Sequence, residues 1–136
     1  MNKLSFYLSI VGVVMLIAAC GNKKEEWPEM DKFHMIMAES FHPYKDSLNL
    51  VPAKANATEM AKLAEQWANA SLPEKVDNDE TKSQLTQLKT DTQAFIQISQ
   101  SGDSVKIGES LTALHDQFHK LQEAWYGGHK EGEHKH

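Results

Sequence analysis

The chain has no arginine, a single cysteine and no stretch in which apolar and polar residues alternate, and each absence excludes something. All 14 basic residues are lysines, scattered along the chain and outweighed by 19 acids, for a formal net charge of −5. Nucleic-acid binding and electrostatic attachment to anionic lipid both need clustered positive charge, so no nucleic-acid partner is expected. One cysteine permits no internal disulfide and no multi-thiolate metal site. Without period-two patterning no strand of consequence is predicted. Serine-hydrolase, phosphate-loop, dinucleotide and metalloprotease patterns are missing as well. Paired carboxylates fall only on faces that the hydropathy pattern turns outward, and the chain is read as a non-enzyme.

What is present begins at the N-terminus. Lys3 precedes an almost unbroken apolar run from Leu4 to Ile17, and the small residues Ala18 and Ala19 stand directly before Cys20. The run is too short and wrongly flanked to span a bilayer, and reads as a signal peptide. Leu16-Ile17-Ala18-Ala19-Cys20 resembles the lipobox of bacterial lipoproteins. The resemblance implies cleavage after Ala19 and diacylation of Cys20 (palmitate-type chains), holding an exported protein to a membrane without a transmembrane segment. Gly21 is similar to an outer-membrane sorting signal, and Lys24-Glu25-Glu26 to surface-export signals of some Gram-negative bacteria. The expected location is therefore the cell envelope, anchored by lipid at the outer membrane, with the periplasmic or surface face left open. Residues 1–19 are the signal peptide and 20–27 the lipidated Cys20 with its polar tether. Loss of Lys3 on cleavage takes the charge from −5 to about −6, and what remains is enough for one domain.

From Pro28 the apolar spacing is helical. Pro28 suits a first helical position, with Glu29 and Asp31 near the positive end of the helix dipole. Met30, Phe33, Met37, Phe41, Tyr44 and Leu48 then form one stripe, which Pro43 is expected to kink or end early. Val51 to Ala55 reads as a loop, and Asn56-x-x-Glu59 as a capping box for a second helix carrying Met60, Leu63, Ala64 and Trp67 to about Ala70. Leu72-Pro73 stops it, and Val76 to Asp79 makes a polar connection. A third helix from about Asp79 to Gln100 turns Leu85, Leu88, Phe95 and Ile98 inward. Gly102 fits its C-terminal cap, and Asp103 or Ser104 caps a fourth helix with Ile107, Leu111, Leu114, Phe118, Leu121 and Trp125 in steps of four and three. The predicted fold is all-α, an up-down-up-down four-helix bundle over 28–126, followed by a disordered histidine-rich tail over 127–136.

Chemistry-bearing residues are sparse apart from seven histidines: His34 and His42 on the first helix, His115 and His119 on the last, and His129, His134 and His136 in the tail. Four residues apart, His115 and His119 lie about 40° apart on one helix face. If the first and last helices are antiparallel neighbours, His34 and His119 fall near one layer, about 9 Å in from the same end, with His115 and Met37 a turn deeper. His34, His115, His119 and Met37 are thus the candidate ligands for a transition-metal ion. Thioether with imidazole suits copper; carboxylate or water with imidazole suits zinc, nickel or cobalt. Glu29, Asp31, Glu39 and Asp116 are acids within reach. The competing reading makes border histidines amphipathic packing residues and Met30, Met35, Met37 and Met60 core filler.

Ala113-Leu114-His115-Asp116-Gln117-Phe118 on a last helix resembles the haem-attachment segment of the cytochrome c-prime family. That resemblance implies His115 at the axial position and Phe118 at the following aromatic. The attachment cysteines are replaced by Ser110 or Leu111 and by Leu114, which excludes covalent haem. The related soluble b-type cytochromes hold haem between a last-helix histidine and a first-helix methionine, which here implies His115 with Met30 or Met37. Pro43 and the lack of arginine for the propionates depart from that pattern, with Lys32 or Lys120 as substitutes. The function expected first is a non-enzymatic lipoprotein that binds a metal ion for sensing, buffering or transfer. A non-covalent haem electron carrier and a ligand-free structural or interaction lipoprotein are the alternatives, with pairing of two bundles left open.

Overall fold

The computed structural model describes residues 24–127. The signal peptide, Cys20 and the tail histidines His129, His134 and His136 lie outside the described residues. Four long helices form a bundle: α1 (Pro28–Ser47), α2 (Val51–Asn69), α3 (Asp79–Ser99) and α4 (Ser104–Trp125), with a short 3-10 turn over Glu74–Val76 between α2 and α3. Among the described residues there is no strand, and no helix is long and apolar enough to cross a membrane.

Two boundaries differ from the sequence expectation, and proline is involved in both. Pro43 lies within α1, yet the helix runs on to Ser47. It falls in the final turns, where the missing N–H affects little of the remaining ladder. The Pro43 carbonyl in turn accepts from the Ser47 hydroxyl at 3.0 Å and from the Asn49 N–H at 3.1 Å. Leu48 then takes the left-handed conformation (φ 56°) and ends the helix, its N–H donating to the Tyr44 carbonyl at 2.7 Å. That turn carries Leu48 off the stripe it was expected to extend, and it is 75 % exposed.

The segment Val51 to Ala55, expected as a loop, is the first turn of α2. Pro52 sits where the N–H would have no intrahelical partner and where its fixed φ already suits the helix. Asn49 Oδ1 accepts from the Val51 N–H at 3.1 Å. The added turn buries Ala53. Asn56 is therefore no cap. It lies inside α2 and donates from Nδ2 to Ser40 Oγ at 3.1 Å, while the Ser40 hydroxyl donates to the Ile36 carbonyl at 2.7 Å. This polar link between α1 and α2 joins the buried Ser40 to the half-buried Asn56.

The starts of α3 and α4 are capped by side chains. Asn78 accepts from the Thr81 N–H at 2.9 Å at the head of α3, and Asp103 accepts from the Lys106 N–H at 3.1 Å at the head of α4. Gly102 holds the positive φ (76°) of the α3–α4 connection. All six members of the α4 stripe are buried, as are Leu85, Leu88 and Phe95 of α3, with Ile98 half-buried at the edge. The helices touch in ring order, α1 to α2, α2 to α3, α3 to α4 and α4 back to α1, the last pair most sparingly. Near one end of that pair Gly108 lets Tyr44 approach closely: a Cβ there would stand 2.6 Å from Tyr44 Cζ.

The core gathers around aromatic rings. Trp27, which the hydropathy pattern leaves in the tether, is 1 % exposed and meets Trp67 with ring centroids 5.0 Å apart and Trp125 at 5.6 Å. Phe33 continues the cluster inward, 5.7 Å from Trp67 and 5.9 Å from Phe118. Val76 of the 3-10 turn is buried, and Lys75 beside it lays its ammonium 3.5 Å above the Trp125 ring. The start of α1 and the ends of α2 and α4 thus share one end of the bundle.

Candidate metal centre on the seam between α1 and α4

Leu111, Leu114 and Phe118 point α4 into the core, and at 100° per residue this sets His115 and His119 on the flank beside them. The flank meets α1 through an exchange of rings. From α4, the half-buried His115 stacks on Phe41 of α1, centroids 3.8 Å apart and planes 16° from parallel. From α1, the exposed His34 stacks on Phe118 of α4 at 5.3 Å and 15°. Bulky rings on both sides keep the backbones apart, which accounts for the sparing contact between these two helices.

The nitrogens of the α4 pair converge. His115 Nε2 and His119 Nε2 are 3.1 Å apart, and Asp116 Oδ1 lies 3.6 Å from His115 Nδ1 on the other side of the ring. A carboxylate beside Nδ1 favours the tautomer with its proton there, which makes Nε2 the acceptor that faces His119 Nε2 and the lone pair a metal ion would take in place of that hydrogen bond. Burial is the main cause that pushes the His115 pKa below its ordinary value; the neighbouring His119 and Lys45 push the same way, and Asp116 opposes them. The net effect favours the neutral form of His115, the form that ligates metal.

The spacing also suits a chelate. Two nitrogens each about 2.05 Å from a metal are about 2.9 Å apart at a right angle and about 3.3 Å apart at a tetrahedral one. The 3.1 Å of the pair falls between them. Phe41 fixes the His115 ring from one face, and His119 meets Phe118 edge-on at 5.9 Å.

The other expected ligands are placed differently. His34 and His119 both pack against Phe118, but the 3.1 Å nitrogen contact belongs to the α4 pair. Among the described residues no group of three or more histidine, cysteine, aspartate or glutamate side chains is placed to hold a metal ion. Met37 is 1 % exposed and packs in the core, and Met30 is buried near the tryptophan end. Met30 lies eleven residues before Phe41, the residue His115 stacks on, which is about 16 Å of helix rise. The structure therefore does not bring His115 and Met30 together across one haem-sized site. His42 is exposed on α1. The role of Phe41 and Phe118 as supports for imidazole was not anticipated from sequence, where both counted as stripe residues; each has a candidate histidine opposite it on the neighbouring helix, a pairing that only the alignment of α1 against α4 reveals.

Comparison with known proteins gives no matching family, no matching curated protein and no matching solved structure.

Proposed function

We propose that this chain is a non-enzymatic, lipid-anchored protein of the bacterial cell envelope that binds a divalent transition-metal ion through His115 and His119. The observation that carries the reading is the 3.1 Å approach of the two Nε2 atoms, with Asp116 behind His115 and Phe41 beneath it. Imidazole donors select zinc, copper, nickel or cobalt over the hard cations that prefer oxygen. In this reading His34 and Met37 support the seam and do not ligate. A surface chelate that accepts and releases its ion fits buffering or transfer within the envelope.

The helical order proposed is up-down-up-down. Trp27 before α1, Trp67 late in α2 and Trp125 at the end of α4 share one end, which favours antiparallel neighbours. The tether then leaves the bundle from the tryptophan end, and Cys20 anchors it to the outer membrane. Replacing Cys20 with serine is expected to abolish labelling by a palmitate analogue and to release the protein from the membrane fraction. Labelling that survives the substitution would remove the anchor from the proposal.

Calorimetric titration of the full chain with zinc, copper, nickel and cobalt tests the site. His115→Ala and His119→Ala are each expected to weaken binding by an order of magnitude or more. His119 is exposed, so its removal should leave the helical signal intact. Affinity unchanged in both variants would reject the chelate.

A further inference from the structure

The His115/His119 pair provides only two donors to ions that take four. Among the described residues no third histidine, cysteine, aspartate or glutamate joins them in a metal-holding group. Zinc in closed sites is nearly always bound by four protein ligands, and an ion held by two imidazoles and water keeps half its coordination open. The pair also lies where another molecule can approach, since His119 is exposed and His115 only half-buried.

We infer that the missing donors come from a second copy of the same chain, so that one metal ion is held by His115 and His119 of each of two bundles. The inference rests on the chelate proposed above and adds how it is completed. A two-fold axis through the ion makes the contact self-complementary, because each chain offers the same pair and receives the same pair. Four imidazole nitrogens in two bites of 3.1 Å satisfy a tetrahedral ion with little rearrangement. Charge makes this association depend on the ion. Each chain carries a formal net charge of −5, which opposes pairing, whereas four neutral imidazoles leave the dication's full positive charge between the two chains. Anchoring both copies to one membrane surface would raise their effective concentration and favour the bridged pair further. The ion then acts as a reporter of metal supply: paired when metal is abundant, single when it is scarce.

The test is a cobalt titration of the full chain in excess non-ionic detergent, read by visible absorption and by sedimentation of the protein component. The expected result is saturation at one cobalt per two chains, strong tetrahedral absorption bands, and a doubling of sedimenting protein mass that a chelator reverses. Saturation at one cobalt per chain, with weak six-coordinate bands and no change in mass, would overturn the bridge and leave the chelate standing. Binding that persists unchanged in both His115→Ala and His119→Ala would remove chelate and bridge together. A variant with His129, His134 and His136 all changed to alanine should keep the stoichiometry and the mass doubling. If it loses either, the chain's own tail supplies the missing ligands and the second copy does not.

Discussion

The tryptophan end and the seam between α1 and α4 both stack aromatic rings, and they use them in opposite ways. At the end, Trp27 and Trp67 are enclosed and Trp125 is nearly so. Among the described residues the indole N–H groups of Trp27 and Trp67 have no hydrogen-bond partner, so packing there outweighs the loss of two polar contacts. Along the seam the buried rings are phenylalanines and the imidazoles lie over them, half-buried or exposed, with nitrogens at the rim. One region gives up polar satisfaction for enclosure. The other positions its imidazoles by stacking and by polar contacts with one another and with Asp116, at the border of solvent. Stability and ligand binding should therefore separate under mutation.

The largest separation is expected for Trp67→Ala. Removing a fully buried indole from the cluster should cost about 3–5 kcal/mol. Denaturant unfolding would show it as a large drop in midpoint, while cobalt affinity measured below the transition changes less than twofold. A wild-type midpoint would mean that the tryptophan end does not anchor the fold. Phe41→Leu should reverse the pattern. Phe41 is buried, and replacing one large apolar residue by another there costs about 1 kcal/mol or a little more. The flat ring under His115 is lost, however, and cobalt should bind several-fold more weakly. Equal losses of stability and affinity would show that the seam is merely another part of the core.

The pH dependence provides a finer cut. His115 binds its proton less readily in the folded chain than when unfolded, mainly because it is buried. Between its lowered folded pKa and the unfolded value near 6.5, the unfolded chain holds more protons, so stability rises with pH through that window. The contribution is complete above about 6.5 and is lost as pH falls through the folded value. Metal affinity should fall over the same acidic range as protons compete for Nε2. His119→Ala removes one of the causes of the shift and should move the His115 titration upward, measurable from its ring proton shifts. Burial, the larger cause, stays in place, so the movement is partial. No movement would mean that the two rings do not sense each other.

Much of the bundle was legible because helical periodicity reports azimuth well. The α4 stripe, in steps of four and three, is buried at every position, and Asp103 caps α4 as its local chemistry indicates. In contrast, α3 ends at a Gln100 cap two residues before Gly102 and is headed by Asn78, which the sequence pattern places in the connection. The misreadings have a common physical origin in residues whose meaning depends on register. Pro52 signals a loop until it is seen to occupy the first turn of α2, the one place a helix accepts it readily. Asn56 has the spacing of a cap, yet it is drawn into the helix because Ser40 offers its side chain a buried partner. Trp27 follows a run of charged residues that reads as a tether, and only the convergence of Trp67 and Trp125 provides a place to bury it. The site was legible to the level of the His115/His119 spacing. Counting helix rise set Met37 beside His115, whereas the ring found there is Phe41, one turn further along α1. Azimuth on one helix can be counted from sequence; the relative depth of two packed helices, and the rotamer that lays a ring on a neighbour or turns it inward, cannot.

The smallest predicted effect probes how the tryptophan end meets solvent. Lys75 places its ammonium 3.5 Å above Trp125, and its only other charged neighbour there is Glu25 at 4.0 Å, among the described residues. Both charges are substantially exposed, so the ion pair should add little, and the cation–π contact is worth about 0.5–1 kcal/mol. The aliphatic stem of Lys75 covers ring surface as well, so alanine would remove packing and charge together. Lys75→Met separates them by keeping the stem and deleting the charge. If the ammonium matters, Lys75→Met loses most of what Lys75→Ala loses, and the loss persists in high salt, which screens the Glu25 pair but not a contact made against the ring. If covering the ring is what matters, Lys75→Met melts like the parent and only Lys75→Ala falls. The second result would extend the comparison to its edge: even the charged residue of the tryptophan end would be there to enclose, while the chemistry of the molecule stays with the imidazoles of the seam.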